Sequence, residues 1–326
     1  MNLELLSANL LSPPILFFAM GMVATLVRSD LKISEPIGQL FNLYLLWAIG
    51  FKGGIGLRES GMDGSSLSLI VAAVLMSVVW PIAVYPLLRW KFTRADAAAT
   101  AAAYGSVSVV TFIAASNFLD LQGIAYGGHL VAALALMEFP AIVTGVMIYR
   151  LRSLRAKSAE HAGGFGALLR EALLGGPVFL LIGSLIVGAL VGPAGSKQLD
   201  PFLRDVFQGV LVLFLLACGM KAAVGLGELR RVGWLAMSAG VVVPIAGAAV
   251  GLGVAMLLGA SVGDGFLLMI LSASASYIAV PAAVGMAIPD ANAGVYLPMA
   301  LAVTFPFNLA IGIPLYLAGA QAVLGQ

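Results

Sequence analysis

The stretch Ser272–Pro289 reads S-A-S-A-S-Y-I-A-V-P-A-A-V-G-M-A-I-P. It lies in an apolar region of membrane-span length, yet Ser272, Ser274 and Ser276 stand at every second position. On a helix, residues two apart do not share a face. Alternating serines therefore suit a segment that is partly unwound, or one read from several sides. Pro281 removes a backbone donor and clashes with the turn before it, and Gly285 and Pro289 loosen the rest. In lipid, freed backbone groups are tolerated only against protein or a watery cavity. A helix broken at mid-membrane is where many carriers bind substrate.

The surrounding chain is equally apolar. Of 326 residues, 61% are hydrophobic and 10% charged, with net charge +2 and mean hydropathy +1.05. Soluble domains do not have this composition, so the class is an all-α polytopic membrane protein. The single Cys218 excludes an intrachain disulfide. His129 and His161 fall in connecting segments. Met1–Leu11 carries Glu4 and no Lys or Arg, so the first apolar run is expected to be a true span rather than a cleaved signal.

Hydropathy predicts ten spans. They cover about Ser12–Val27, Pro36–Ile49, Leu67–Leu88, Ala97–Ala115, Leu130–Tyr149, Pro177–Val191, Phe202–Cys218, Val232–Leu258, Phe266–Ala287 and Val295–Leu317. The longest polar segment, Arg150–Glu171, separates the fifth from the sixth, and Phe165–Leu174 reads as a short amphipathic helix. Basic residues cluster after spans one, three, five and seven. There stand Arg28, Lys32, Arg89, Lys91, Arg94, Arg150, Arg152, Arg155, Lys157, Arg170, Lys221, Arg230 and Arg231, which make up 13 of the 17. The positive-inside rule puts these connections in the cytoplasm and both termini outside. Asp120, Asp264 and Asp290 are expected to be solvated in short outer loops, and Asp290-Ala291-Asn292 to cap the tenth helix.

The two halves repeat. Gly50-Phe51-Lys52 with Gly56-Leu57 recurs as Gly219-Met220-Lys221 with Gly225-Leu226, a shift of 169 positions. Val78–Ala83 recurs as Val241–Ala246 and Pro14 as Pro177, both shifted by 163, and Phe139-Pro140 recurs as Phe305-Pro306, shifted by 166. Five spans per copy is an odd number, so the copies insert in opposite orientations, as in many secondary transporters. The units are residues 1–149, a cytoplasmic connecting segment 150–174, and 175–326.

The repeat pairs the fourth span with the ninth. Ser106, Ser108 and Thr111 then face the same problem as Ser272, Ser274, Ser276 and the adjoining Tyr277. Two helix N-termini meeting near the midplane would offer free N–H groups and positive dipole ends to a small anion. The competing reading is that such serines back-bond to carbonyls and help helices pack. Glu138 is the acidic residue placed well inside a span, where a charge costs about 3 kcal/mol or more. Its repeat counterparts are Thr304 and Asn308, and the three are candidate ligands for a coupling sodium ion. Lys52 and Lys221 are read as snorkelling from Gly-rich turns at span ends. One central carboxylate with no intramembrane histidine argues against an enzyme. No cofactor or nucleic acid is expected.

The runs G-G-I-G-L-R-E-S (Gly53–Ser60), G-M-K-A-A-V-G-L-G-E-L-R-R-V (Gly219–Val232), S-A-S-Y-I-A-V-P with A-I-P-D-A-N, and M-E-F-P-A-I-V-T resemble the cyanobacterial sodium-dependent bicarbonate transporters. The resemblance covers nearly the whole chain. It implies ten helices in a five-plus-five inverted repeat, as in the wider bile-acid-symporter and sodium/proton-antiporter group. It further implies a core domain moving against a gate domain, a homotrimer in the bacterial inner membrane, sodium-coupled bicarbonate uptake and a cytoplasmic PII-like regulator. The chain departs from that family at Tyr277, where the family has Asp, and at Val109 and Val110, where it has a Gly-Ser pair. A third departure is Lys221, where the family has an acid. Tyr277 and the two valines make the site larger and more apolar, which favours as alternative a carrier of the same fold for a small organic anion, coupled to protons.

The predicted topology has a direct check. A cysteine engineered near residue 160 should react in whole cells only with a membrane-permeant reagent, and labelling by an impermeant one would overturn the orientation.

Overall fold

The computed structural model describes residues 7, 9–61, 63–152 and 176–325. Among them the chain is helical, with no strand. The amphipathic helix expected at Phe165–Leu174, and most of the expected connecting segment, lie outside the described residues.

The helices are α1 (Pro13–Leu26), α2 (Glu35–Ser60), α3 (Gly64–Arg89), α4 (Arg94–Gly105), α5 (Val109–Gln122) and α6 (His129–Arg152). After the undescribed segment come α7 (Gly176–Ser196), α8 (Val206–Val232), α9 (Trp234–Leu257), α10 (Val262–Ala273) and α11 (Ala279–Ala287). The last is α12 (Ala293–Leu324), which loosens into π-helical turns at Met299–Thr304 and Asn308–Gly312, around Phe305-Pro306. Among the described residues, 8 helical stretches are long and apolar enough to cross a membrane, with α4 and α5 counted as one. The protein is a multi-pass membrane protein. The shorter apolar helices are α1, of 14 residues, and α10, of 12, which α11 follows after a non-helical stretch.

Two of the expected span ends are corrected. The Gly-rich runs at Gly50–Leu57 and Gly219–Leu226 are not turns but the interiors of α2 and α8. The reason is close packing. A Cβ on Gly50 would stand 2.6 Å from the Leu181 carbonyl oxygen, and one on Gly54 2.0 Å from that of Leu185. On the opposite helix, a Cβ on Gly188 would stand 2.2 Å from the Phe51 oxygen. Thus α2 and α7 touch backbone to backbone. Helices α1 and α8 do the same, with Gly21 against Leu216 and Gly219 against Phe18 at 2.1 and 2.0 Å. Small residues at such seams let dispersion replace the hydrophobic drive that lipid does not supply.

The alanine-rich run of α4 has the same logic. Ala95 through Gly105 is buried throughout, so α4 sits inside the bundle rather than against lipid. Pro81 of α3 lies over Gly105, where a Cβ would meet its ring at 2.1 Å. α3 packs on α4 and α6, and α9 packs on α10. The buried apolar residues fall into two clusters, one around α5 and α10 and one around α4 and α11. The breaks in the two broken helices lie between them. Outward-facing Leu75, Val79 and Ile82 on α3 and Val242 and Val250 on α9 are the surface a bilayer covers.

The seams predict unequal costs for equal chemistry. Gly54→Ala should lower the melting temperature of the purified protein, by overpacking of about 1–3 kcal/mol. Gly38→Ala, on the same helix with nothing within 4 Å, should leave it unchanged or raise it slightly. Equal effects would mean that the seam yields.

Candidate functional site

Helix α4 stops at Gly105 and α5 starts at Val109. Helix α10 stops at Ala273 and α11 starts at Ala279. The two breaks touch. The Ser108 amide donates to Ser274 Oγ at 3.0 Å, and the Ser276 amide donates to the Ala103 carbonyl at 2.9 Å. Each break therefore supplies the other with partners that its own helix cannot.

The serines divide by role. Ser108 is the N-cap of α5, its Oγ accepting from the Thr111 amide at 3.2 Å. Ser276 Oγ accepts from the Val280 amide in the first turn of α11 at 3.4 Å. Ser274 Oγ donates to the Leu271 carbonyl while accepting from Ser108. Ser272 follows the packing reading instead: its Oγ donates to the Leu268 carbonyl at 2.7 Å, within α10 and beside Met76. Thr111 and Ser106 are buried, and neither hydroxyl has a hydrogen-bond partner. The Tyr277 hydroxyl is likewise buried; it approaches Ser108 and Cys218 without the geometry of a hydrogen bond. Its ring packs on Phe305, centroids 5.6 Å apart, and Phe305 meets Phe18 edge-on at 5.4 Å.

A small crevice opens at the crossing. It is lined by Val107–Val110, Ser276, Tyr277, Ile278 and Glu138. Glu138 on α6 is 7% exposed, and among the described residues no basic side chain forms an ion pair with it. The N-terminus of α5 and a carboxylate thus share one wall. Unpaired donors and the positive helix end favour an anion; a buried carboxylate beside them favours a cation. The arrangement has the donors for both.

Thr304 and Asn308 are engaged elsewhere. Thr304 Oγ1 donates to the Gly240 carbonyl at 2.7 Å and lies 2.6 Å from Tyr104 Oη. Asn308 Nδ2 donates to the Ala273 carbonyl at 2.7 Å, closing the C-terminus of α10, and its Oδ1 accepts from Tyr316. No hydrogen bond among the described residues joins either side chain to Glu138.

Asp120 is exposed, as expected, though in the last turn of α5 rather than in a loop, while Asp290 and Asp264 differ from expectation. Asp120 pairs with Lys52 at 3.0 Å, and Lys52 also stands over the Phe207 ring. Asp290, expected in a loop on the same side as Asp120 and Asp264, instead shares a side with the end of α6 that carries Arg150, where it accepts from Tyr149 at 2.5 Å. By the parity of the spans, the connection after the ninth shares its side with that after the fifth. Asp264, expected in solvent, is one of two matched clamps that sequence reading missed. At one face, Thr93 caps α4 by accepting from the Asp96 amide, and Asp96 Oδ1 accepts from the Asn292 amide at 2.7 Å. At the other, Ser261 caps α10 by accepting from the Asp264 amide, and Asp264 Oδ1 accepts from the Gly127 amide at 2.7 Å. Each clamp ties the first turn of one half-helix to the connection that leaves the other broken helix. The signal was present: T-R-A-D and S-V-G-D are the same capping pattern, 168 positions apart. Asn292 does cap α12, accepting from Gly294 at 2.9 Å.

The family model described as the Na+-dependent bicarbonate transporter superfamily matches residues 13–321. No curated protein matches the chain.

The clamps carry a measurable load. Asp96→Ala should remove the acceptor of the half-buried bond from the Asn292 amide and cost about 0.5–1.5 kcal/mol, read as a lowered melting temperature. No change would show that water replaces the carboxylate there.

Proposed function

The chain belongs to the Na+-dependent bicarbonate transporter superfamily, whose model spans nearly all of it, and we propose that it imports bicarbonate together with sodium. The observation that carries this reading is the crossing of the two broken helices. The amide of one is bonded to the hydroxyl of the other, beside buried hydroxyls of Ser106, Thr111 and Tyr277 without partners. An unpaired buried hydroxyl costs about 1–3 kcal/mol, which a hydrogen-bonding anion would recover. Bicarbonate fits as a small oxyanion with one proton of its own. Glu138, lining the same crevice, would hold the coupling cation, with Thr304 and Asn308 contributing only if they release their present partners.

The mechanism in this proposal is a core moving against a gate. The gate is the α1–α8 and α2–α7 pairs, welded by glycine seams; the core is α3–α6 with α9–α12. Ten spans in inverted repeat follow from pairing each broken helix with its counterpart. Three features support that pairing. Ser108 and Ser274, 166 positions apart, bond to each other. Gly50 lies on Leu181 as Gly219 lies on Phe18. The Asp96 and Asp264 clamps correspond in the same way. The units 1–149 and 175–326, a homotrimer in the inner membrane with both termini outside, and a PII-like regulator belong to the same reading.

A second reading has its own observation. The Tyr277 and Phe305 rings, with Val109 and Val110, give the crossing an apolar wall, which suits a small organic acid carried with protons.

Labelled bicarbonate uptake into proteoliposomes, with and without a sodium gradient, tests the proposal. Sodium-dependent uptake is expected. Ser274→Ala should weaken apparent affinity roughly two- to tenfold, because the Ser108 amide loses its acceptor and the crossing its alignment; a bond between neutral groups is worth about 0.5–1.5 kcal/mol. Glu138→Gln should abolish the sodium dependence while leaving the fold intact. Uptake that responds to pH at fixed sodium, and not to sodium at fixed pH, would favour the organic-acid reading. A Glu138→Gln protein with unchanged sodium dependence would remove Glu138 from the mechanism.

A further inference from the structure

Away from the crossing, a wider cavity of about 480 Å³ opens beside the C-terminus of α5. Asn117 and Asp120 of α5 stand on one side of it. Lys52 of α2, Arg204 in the turn ahead of α8, and Gln208 of α8 stand on the other. Two side-chain bonds cross this space. Lys52 Nζ donates to Asp120 Oδ2 at 3.0 Å, and Gln208 Nε2 donates to Asn117 Oδ1. The Lys52 ammonium also stands 5.4 Å from the centre of the Phe207 ring. Arg204 is exposed and forms no ion pair among the described residues.

The charged lining sets two cations against one carboxylate. The last carbonyls of α5 are closed by the Gly123 and Ile124 amides, so these side chains decide the sign of the field, and it favours an anion. The volume lies within the usual range of ligand pockets, about 300–1,000 Å³, and exceeds what one small ion fills. An anion here is therefore held with water around it, by charge more than by fit. The Lys52–Asp120 pair is suited to exchange. Its side chains are 28% and 42% exposed, and a pair so exposed is a weak tie. Once released, Asp120 is hydrated, and Lys52 keeps its place over the Phe207 ring.

We propose that this cavity is a second, peripheral anion site: a small oxyanion enters between Lys52 and Arg204 and replaces Asp120 as the partner of Lys52. The site is separate from the crossing. Helix α5 has Ser108 as its N-cap and Asp120 in its last turn, about 18 Å apart at 1.5 Å per residue. One consequence rests on the transport reading above, in which α2 and α8 belong to the gate and α5 to the core. The anion then waits at the boundary between the two bodies and loosens one of the bonds that join them. The binding itself does not depend on that reading.

Two measurements separate the site from its consequence. First, equilibrium binding of labelled bicarbonate, and of labelled acetate as a second oxyanion, is measured on the purified full-length protein in sodium-free buffer of low ionic strength. Binding should fade as salt is raised. Lys52→Gln should weaken it about two- to fivefold, the range that an exposed ion pair commands. Arg204→Gln, which breaks no ion pair among the described residues, should act in the same direction. Asp120→Asn should strengthen binding, because Lys52 loses its competitor. A pair that served only as a structural tie would give Lys52→Gln and Asp120→Asn the same effect, so equal effects, or none, would overturn the site. Should Lys52→Gln not fold, Arg204→Gln against Asp120→Asn carries the same comparison. Second, bicarbonate uptake is measured in proteoliposomes. Lys52→Gln should raise the apparent KM by a similar factor, and an unmoved KM alongside weakened binding would take the site off the substrate route. A wild-type protein that binds both oxyanions as expected, yet takes up no bicarbonate, would count against bicarbonate transport and leave the site standing.

Discussion

In lipid, an amide without an acceptor has nowhere to turn. This constraint shapes the centre of the molecule. Two helices stop short inside the bundle, and each stop frees several backbone groups. The cost is met across the gap between them, with Ser108 bonded to Ser274 and Ser276 to Ala103. Asn308 closes the carbonyl end of α10. What is left over is a set of hydroxyls that the protein does not use. A crossing that satisfied every group would bond all its hydroxyls internally; here those of Ser106, Thr111 and Tyr277 have no partner among the described residues.

The rest of the bundle is built so that the crossing can exist. Alanines around α4 allow it to sit fully enclosed. Glycine seams bring α1 to α8 and α2 to α7 at backbone contact, which makes each pair behave as a stiff plank. The π-helical turns of α12 flank Phe305, the ring that backs Tyr277. Such turns misalign local backbone bonds and often mark functional positions. Close packing is thus concentrated in the paired helices, and backbone irregularity beside the crossing.

Much of this was legible in the sequence. Alternating serines with Pro281 located the break after α10, and the repeat carried it to Ser106 and Ser108, because such patterns fit neither a uniform helix nor a lipid-facing surface. Asn292 announced its cap. The ends of α2 and α8 were not legible, since hydropathy reads Lys52 and Lys221 as boundaries. It cannot see that glycines at Gly50, Gly54 and Gly219 admit a neighbouring backbone. The partners of Thr304 and Asn308 were hidden for another reason. Gly240 and Ala273 are distant in sequence, and their carbonyls are available only because of how α9 and α10 fold. The clamps were visible as capping patterns but not as clamps, since the amides of Asn292 and Gly127 carry no sequence signal.

The bond between Ser108 and Ser274 joins residues 166 positions apart, and this bears on how the protein is made. Ribosomes add roughly 5–20 residues each second, so the first break waits on the order of 10–30 s for its partner. The seams impose the same delay, because α1 needs α8 and α2 needs α7. During synthesis, α1 to α6 are therefore an unfinished surface, carrying unmet amides and bare glycine grooves. Such an intermediate is a natural client for whatever in the insertion machinery shelters polar helices until the remainder of the chain arrives.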